Sequence, residues 1–226
     1  MRLLAIETAT MLGGVAVLDD ETLVAETRMN IKVAHSERIV AEMHGALGSA
    51  GLGIEDIDVF ALSIGPGSFT GLRVGLSTIK GLAYATGRRV VAVPTLEALA
   101  WNVPFSRHPV CPVLDARKKE VYAGIFRWSG DGFIRDLCEQ AVRMVDLLAG
   151  IKEPTIFLGE GALLYREAIL SAIGDMAVFA QPQDMVPSPS NVAFLGMGRA
   201  KRGEFEDPVS LVPAYLRKSE AETKTR

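Results

Sequence analysis

The feature that most constrains this chain is the glycine-rich segment at residues 63–75, SIGPGSFTGLRVG. It joins an apolar run to a run with helical spacing, which predicts a tight turn between a buried strand and a helix. Such a turn brings backbone N–H groups, backed by a helix N-terminus, close to an anion or to another protein segment. The segment contains no lysine, histidine or acid. The segment alone is therefore not predicted to be catalytic.

The spacing of the segment, Gly65-x-Gly67-x-x-x-Gly71, differs from the common nucleotide motifs. It is one residue longer than the dinucleotide fingerprint, and it lacks the Lys-Ser/Thr pair of a P-loop. No Gly-x-Ser-x-Gly surrounds Ser68, so a nucleophile elbow is not indicated either. Two interpretations remain open, a turn packed against a neighbouring segment and a turn that contacts an anion.

Composition limits the class of protein. The 226 residues fit one large domain or two small lobes, and 49% hydrophobic with 23% charged residues is typical of globular chains. The formal net charge of −3 argues against unaided binding of a phosphate backbone. Neither a membrane-spanning run nor a signal peptide is predicted. Only Cys111 and Cys138 are present, without a CxxC, so we expect two reduced cysteines in a cytoplasmic protein.

The order of predicted elements occurs twice. Residues 2–93 predict β-β-β-α-β-α-β, residues 110–173 predict β-β-β-α-β-α with one helix over 162–173, and a last helix covers 191–201. The order of strands and helices repeats, but the amino-acid sequence does not. The repeated order predicts an N-terminal lobe at residues 1–103, a C-terminal lobe at 104–217 and a flexible polar tail at 218–226.

Two predicted helices carry a candidate partner interface. In the helix after the glycine turn, one stripe of mostly small residues allows a second backbone to approach closely, either its own sheet or a partner helix. Our hypothesis is a partner, with Gly75→Leu weakening the pairing and leaving the fold largely intact. The expected interface residues are Ser36, Ile39, Val40, Met43, Leu47, Gly71, Arg73, Gly75, Thr78 and Leu82.

Two acids occupy matching places, since Glu7 and Asp115 each end the first strand of one half. They either face each other around Mg²⁺ or cap their own turns. His35 and His44 are nine residues apart, half a turn out of phase on a helix, and no zinc motif is present. We therefore predict neither a metal site nor a catalytic residue.

Several motifs resemble the TsaB (YeaZ) family. They are LAIETAT at residues 4–10, HSER at 35–38, GPGSFTGLRVG at 65–75, VPTLEAL at 93–99, LDARKKEVY at 114–122 and PAYLR at 213–217. The resemblance covers nearly the whole chain. It implies an α/β protein with a duplicated actin-like (ribonuclease H-like) two-lobe fold, with mixed sheets flanked by helices, in agreement with the repeated element order.

The resemblance also implies a role. TsaB is the non-catalytic member of the bacterial machinery that makes N6-threonylcarbamoyladenosine at position 37 of tRNAs reading codons that begin with A. In that scheme TsaD, whose two metal-binding histidines are absent here, transfers the group. TsaB pairs with TsaD, and TsaE, a P-loop ATPase, joins at their junction. A homodimer is expected when the chain is alone, and tRNA contact is expected mainly through partners, with Arg88-Arg89 or residues 199–202 assisting.

No cofactor is expected in the isolated chain, and ATP with Mg²⁺ only in the complex. The residues that would contact a nucleotide or anion are Glu7, Thr8, Thr10, Gly65, Gly67, Ser68, Asp115, Gly159 and Gly161. Glu7 stands where TsaB chains often have Asp, which lengthens the acidic arm. Two alternatives are an ATP-dependent phosphotransferase of the actin-like superfamily, using Glu7 and Asp115, and an M22-type metallopeptidase.

Overall fold

The computed structural model describes residues 1–30 and 35–216. It divides into two compact units, Met1–Ala98 with Pro187–Pro213, and Leu99–Val186 with residues 214–216. The expected boundary after residue 103 lies close to Ala98, whereas residues 187–213, which we expected in the second lobe, belong to the first unit. The tail predicted at residues 218–226 lies outside the described residues.

Strands and helices follow one another along the chain in the predicted order, except that the elements Thr95–Ala100 and Ala177–Phe179 were not predicted. Within the described residues the strands are β1 (Arg2–Glu7), β2 (Leu12–Asp19), β3 (Thr22–Asn30), β4 (Val59–Gly65), β5 (Arg89–Pro94), β6 (Val110–Asp115), β7 (Glu120–Ser129), β8 (Gly132–Arg143), β9 (Thr155–Leu158) and β10 (Ala177–Phe179). The helices are α1 (His35–Ser49), α2 (Phe69–Thr86), α3 (Thr95–Ala100), α4 (Met144–Ala149), α5 (Glu160–Leu164), α6 (Arg166–Ile173) and α7 (Pro189–Lys201). None of these helices is long and apolar enough to cross a membrane.

Each unit contains one five-stranded sheet of the same topology. The first has the order β3-β2-β1-β4-β5 and the second the order β8-β7-β6-β9-β10. In both, the first three strands pair antiparallel, and the first, fourth and fifth run parallel. The duplicated mixed-sheet fold is therefore confirmed. Strand β10, which completes the repeat, was not predicted because three residues are too few to show a period.

Helices α1 and α2 cover one face of the first sheet. From α1, Ile39, Met43 and Leu47 are buried among residues of β1 and β4, and from α2, Leu76 and Ile79 pack into the same core. Burial of each such side chain contributes about 1.5–3 kcal/mol. The apolar face of α1 is thus used inside its own unit.

Helix α7 covers the opposite face of the first sheet. Val192 and Met197 are buried against the strands, and Gly196 lies so close that a Cβ there would be 2.8 Å from the Cβ of Ala61. At the far end of α7, the Arg199 guanidinium donates to the Ala92 carbonyl at 2.9 Å and pairs with Glu97 at 3.0 Å. These contacts explain why residues 187–213 belong to the first unit.

Helices α4, α5 and α6 pack on the second sheet, around Phe157 and Val113. The prediction of a single helix over residues 162–173 is wrong, because two helices occupy this region. The helix is interrupted at Tyr165, whose φ of −103° and ψ of 16° lie outside the helical range and separate α5 from α6. The apolar spacing continues through this break, which is why the sequence pattern does not reveal it.

Two glycines of α7 give opposite predictions for stability. Gly196→Ala is expected to lower the free energy of unfolding by about 1–3 kcal/mol, because the added methyl group overpacks the contact with Ala61. Gly198→Ala is expected to raise it by about 0.5–1 kcal/mol, because its added Cβ would only approach Arg202 at 3.5 Å and alanine favours the helix. Urea unfolding of both variants measures the two changes. Equal effects in the two variants would contradict this placement of α7.

Candidate functional site

The glycine turn between β4 and α2 uses its backbone amides within the protein. The Gly65 N–H donates to the Thr95 hydroxyl at 3.2 Å, and the Ser68 N–H donates to the Ala9 carbonyl at 2.6 Å. The Ser68 hydroxyl caps α2 by accepting from the Gly71 N–H at 3.3 Å. A phosphate cradle needs such amides to point at the ligand. Three amides of this turn already have protein acceptors.

The glycines of the turn and of α2 permit contact with the segment that follows β1. A Cβ at Gly67 would overlap the Ala9 carbonyl oxygen, one at Gly71 the Thr8 carbonyl oxygen, and one at Gly75 the Thr8 hydroxyl oxygen. Gly71 and Gly75 are both buried. The small-residue stripe therefore presses α2 onto its own sheet, so these two glycines cannot contact a partner. Gly75→Leu would damage the fold, contrary to our expectation.

Glu7 is fully buried at the end of β1. Its Oε1 accepts a hydrogen bond from the Ala9 N–H at 2.6 Å, and its Oε2 has no hydrogen-bond partner in the described part of the chain. Burial raises the pKa of Glu7 to about 7, although the Ala9 N–H and the Ser63 hydroxyl oppose that rise. Glu7 therefore caps its own turn, which is one of the two roles that the sequence left open.

Thr8 and Thr10 are also buried, and the Thr10 hydroxyl donates to the Leu12 carbonyl at 2.8 Å. Of the anion contacts expected in the first unit, only Ser68 has an exposed side chain. A magnesium–nucleotide needs accessible oxygen ligands and unoccupied amides. These residues of the first unit, as arranged here, do not fit that ligand.

The second unit repeats this construction. Asp115 ends β6, and its Oδ1 accepts from the Arg117 N–H at 2.9 Å while Oδ2 lies 3.3 Å from the Arg117 guanidinium. Gly159 has a φ of +101°, and a Cβ there would overlap the Val113 carbonyl oxygen. A Cβ at Gly161 would lie 2.8 Å from Val113 Cγ1. Both glycines thus serve close packing of α5 on β6, and Asp115 caps the following turn as Glu7 does.

Glu160 is an acid that the sequence analysis missed, and it lies beside Asp115. Its side chain is exposed, and partial desolvation of the carboxyl, with the Asp115 charge second, raises its pKa. Its position directly after Gly159, at the end of the fourth strand of this unit, was the available signal. The described residues contain no group of three or more side chains that could hold a metal ion.

The expected partner interface divides into buried and exposed residues. Ile39, Met43 and Leu47 are buried in the first core, so these three predictions are corrected in the same way as Gly71 and Gly75. Thr78 and Leu82 are half-buried. Ser36 belongs to α1, but its side chain lies outside the described part of the structure.

Several residues on the outward sides of α1 and α2 are accessible. Val40 is 60% exposed, and Arg73 is exposed with its guanidinium 3.8 Å from the centre of the Phe69 ring. Tyr84, which the sequence analysis did not select, is 94% exposed. Around Gly45, Gly48 and Gly81 a Cβ would meet nothing within 4 Å. The glycines with open space around them are thus different from the two that we had assigned to a partner.

The two basic strips proposed to assist tRNA contact are engaged within the protein. Arg199 pairs with Glu97, Lys201 with Glu21 and Arg202 with Glu204. Arg88 donates to the Glu55 carbonyl, and Arg89 stacks over Phe205 at 4.5 Å. Nearby acids or carbonyls offset much of the positive charge that RNA phosphates would require.

The titration of Glu7 predicts a pH dependence of stability. Because its pKa rises from 4.5 to about 7 on folding, the folded state holds a proton that the unfolded state has released between these values. Stability should therefore fall as pH rises from about 4.5 to about 7, by about 3 kcal/mol, and level off above that. Denaturant unfolding of wild type and Glu7→Gln at pH 5, 6, 7 and 8 measures this difference. Parallel stability curves for the two proteins would refute the assignment.

Comparisons with known proteins agree with this fold. The family model for TsaD, tRNA N6-adenosine threonylcarbamoyltransferase, matches residues 29–225. The tRNA threonylcarbamoyladenosine biosynthesis protein TsaB of Bacillus subtilis is 34% identical over 99% of this chain and 97% of its own. The solved structure of YeaZ from Pseudomonas aeruginosa is 25% identical, covers 95% of this chain and 99% of its own, and superposes with a TM-score of 0.80.

A more distant structure shows the fold alone. Component A of the (R)-2-hydroxyglutaryl-CoA dehydratase of Acidaminococcus fermentans is 12% identical, covers 89% of this chain and 99% of its own, and has a TM-score of 0.54. The full-length match to TsaB, the YeaZ structure and the duplicated sheet order confirm the resemblance found in the sequence motifs. This chain belongs to the TsaB family of tRNA threonylcarbamoyladenosine biosynthesis proteins, within the actin-like fold.

Proposed function

We propose that this chain is the non-catalytic pairing subunit of the cytoplasmic bacterial machinery that forms N6-threonylcarbamoyladenosine at position 37 of tRNAs reading A-starting codons. In this role it binds TsaD, which transfers the threonylcarbamoyl group, and helps to recruit TsaE. The observation that carries the proposal is the match to TsaB over 99% of this chain and 97% of the relative.

The chemistry of the glycine segment supports a role without catalysis. Three of its amides are bound to Thr95, Ala9 and Ser68, and the acid beside it is buried with a pKa near neutrality. A group that binds nucleotide or activates a nucleophile must be accessible to its substrate. This arrangement also gives no support to the phosphotransferase alternative.

We place the pairing surface on the outward sides of α1 and α2. These two helices pack against each other, and their exposed apolar and aromatic side chains include Val40 and Tyr84. Aromatic residues and arginines supply much of the binding energy in protein interfaces. Arg73, stacked on Phe69, lies on the same helix as Tyr84. The open space around Gly45 and Gly81 lets a partner helix come close.

A reconstituted tRNA modification assay tests the role. The reaction contains tRNA, TsaD and TsaE of the same bacterium and the enzyme that makes threonylcarbamoyl-adenylate. We expect modification with the wild-type chain and at least a roughly tenfold lower rate with Val40→Asp combined with Tyr84→Asp, because two charges would then be buried without partners in the interface. Co-elution with TsaD should be lost in parallel.

A matched control is Val24→Asp on β3. Val24 is 40% exposed on β3, at an irregularity of the β2–β3 register, and belongs to neither α1 nor α2. This variant should pair with TsaD as the wild type does. Full modification by TsaD and TsaE without this chain would overturn the function. Normal pairing by the double variant would overturn only the placement of the surface.

A further inference from the structure

An apolar groove lies between α4 and α6 on the surface of the second unit. Its volume is about 770 Å³. Met144 and Leu148 are almost fully buried along it, whereas Val145 is 64% exposed. All but two of the residues that line the groove are apolar or aromatic. The groove lies in the other unit from α1 and α2, so the function proposed above does not use it.

The shape of the groove favours a chain segment over a small molecule. Small-molecule sites bury about 70–90% of their ligand. Here a wall residue, Val145, stays largely exposed, and two further lining residues, Ala168 and Ala172, are exposed as well. The groove is therefore an open trough. A ligand lying in it would keep one side in solvent, as an amphipathic helix does.

The dimensions fit about two turns of helix. The walls are formed by α4, with six residues, and α6, with eight residues. At about 1.5 Å per residue these walls are about 9 and 12 Å long. Ala168 and Ala172 stand one turn apart on α6, and their short side chains let another helix axis approach closely. An occupant anchored at positions i, i+3 or i+4 and i+7 would match this length.

The charges of the groove indicate an acidic partner. The two charged residues that line it are both cations, Lys119 and Arg143. They lie at the same end of the groove. Arg143 stands opposite Glu120 in the antiparallel register of β7 and β8, and Lys119 directly precedes Glu120. Lys119 extends from a turn in which residues 117–119 all have left-handed φ values of 54–66°. Arg143 is held by two bonds to Asp146, at 2.7 and 2.8 Å, which offset much of its charge, so Lys119 is the cation that an acidic partner would meet.

We propose that this groove is a docking site for an amphipathic helix of a partner protein, about two turns long, with an acidic cluster at one end. Its apolar side chains fill the trough between α4 and α6, and its carboxylates meet Lys119. The apolar contacts supply the affinity, and the charges set the orientation of the helix.

Fluorescence anisotropy with the full chain and three labelled peptides tests this proposal. The first peptide is an amphipathic helix with leucines at i, i+3, i+4 and i+7 followed by two glutamates. The second carries lysines in place of the glutamates, and the third carries serines in place of the leucines. We expect saturable binding of the first peptide and at least about tenfold weaker binding of the other two.

Protein variants locate the binding. Lys119→Glu and Ala168→Trp, which fills the trough at an exposed position, should each weaken binding of the first peptide about tenfold or more. Arg107→Glu makes the same charge change at an exposed residue of the same unit that does not line the groove, and it should leave the affinity unchanged. If Ala168→Trp does not fold, the comparison of Lys119→Glu with Arg107→Glu decides whether the peptide binds in the groove.

Three results would overturn the proposal. They are absence of saturable binding of the first peptide, equal affinity for all three peptides, and an affinity that Lys119→Glu does not change. Displacement of the first peptide by decanoate at stoichiometric concentration would also overturn it, since the site would then belong to a small anionic amphiphile.

Discussion

The contact between α2 and the end of β1 determines how the first unit is built. Gly71 and Gly75 have no side chains, so the helix lies directly against Thr8, and the turn before it binds Ala9 through the Ser68 amide. The second unit repeats the device with Gly159 and Gly161 against Val113. In both units an acid closes the turn after the first strand. Glycine in a helix is destabilising by roughly 0.5–1 kcal/mol relative to alanine, and the close packing offsets that loss.

This contact separates the glycine segment from catalysis. Three amides of the turn are bound to protein acceptors and the carboxyl at the end of β1 is buried, so these groups are not available to a phosphate or a metal ion. Because α2 presses inward through its glycines, its other side carries the exposed Arg73 and Tyr84. The exposed side of α2 is therefore available for contact with a partner protein. The proposal for the α1–α2 face follows from that division, whereas the groove between α4 and α6 belongs to the other unit.

The sequence predicted the fold well and the site only in part. Strand order and duplication could be inferred because buried strands and turn signals recur in both halves. The helical period of α1 identified Ile39, Met43 and Leu47 as one face, but a period does not say whether that face meets its own sheet or a partner. Glycine spacing likewise could not distinguish Gly75, pressed against Thr8, from Gly81, which lies in open space. Placing α7 on the first sheet required long-range packing around Ala61, which no local pattern contains.

The stability of Gly71→Ala compared with Gly81→Ala tests the central claim most directly. Both residues lie in α2, but a Cβ at Gly71 would overlap the Thr8 carbonyl, whereas one at Gly81 would meet nothing within 4 Å. We expect Gly71→Ala to lose about 1–3 kcal/mol of unfolding free energy, and Gly81→Ala to gain about 0.5–1 kcal/mol. A Gly71→Ala protein as stable as wild type that no longer binds TsaD would contradict the account, since the glycine would then serve the partner and not the fold.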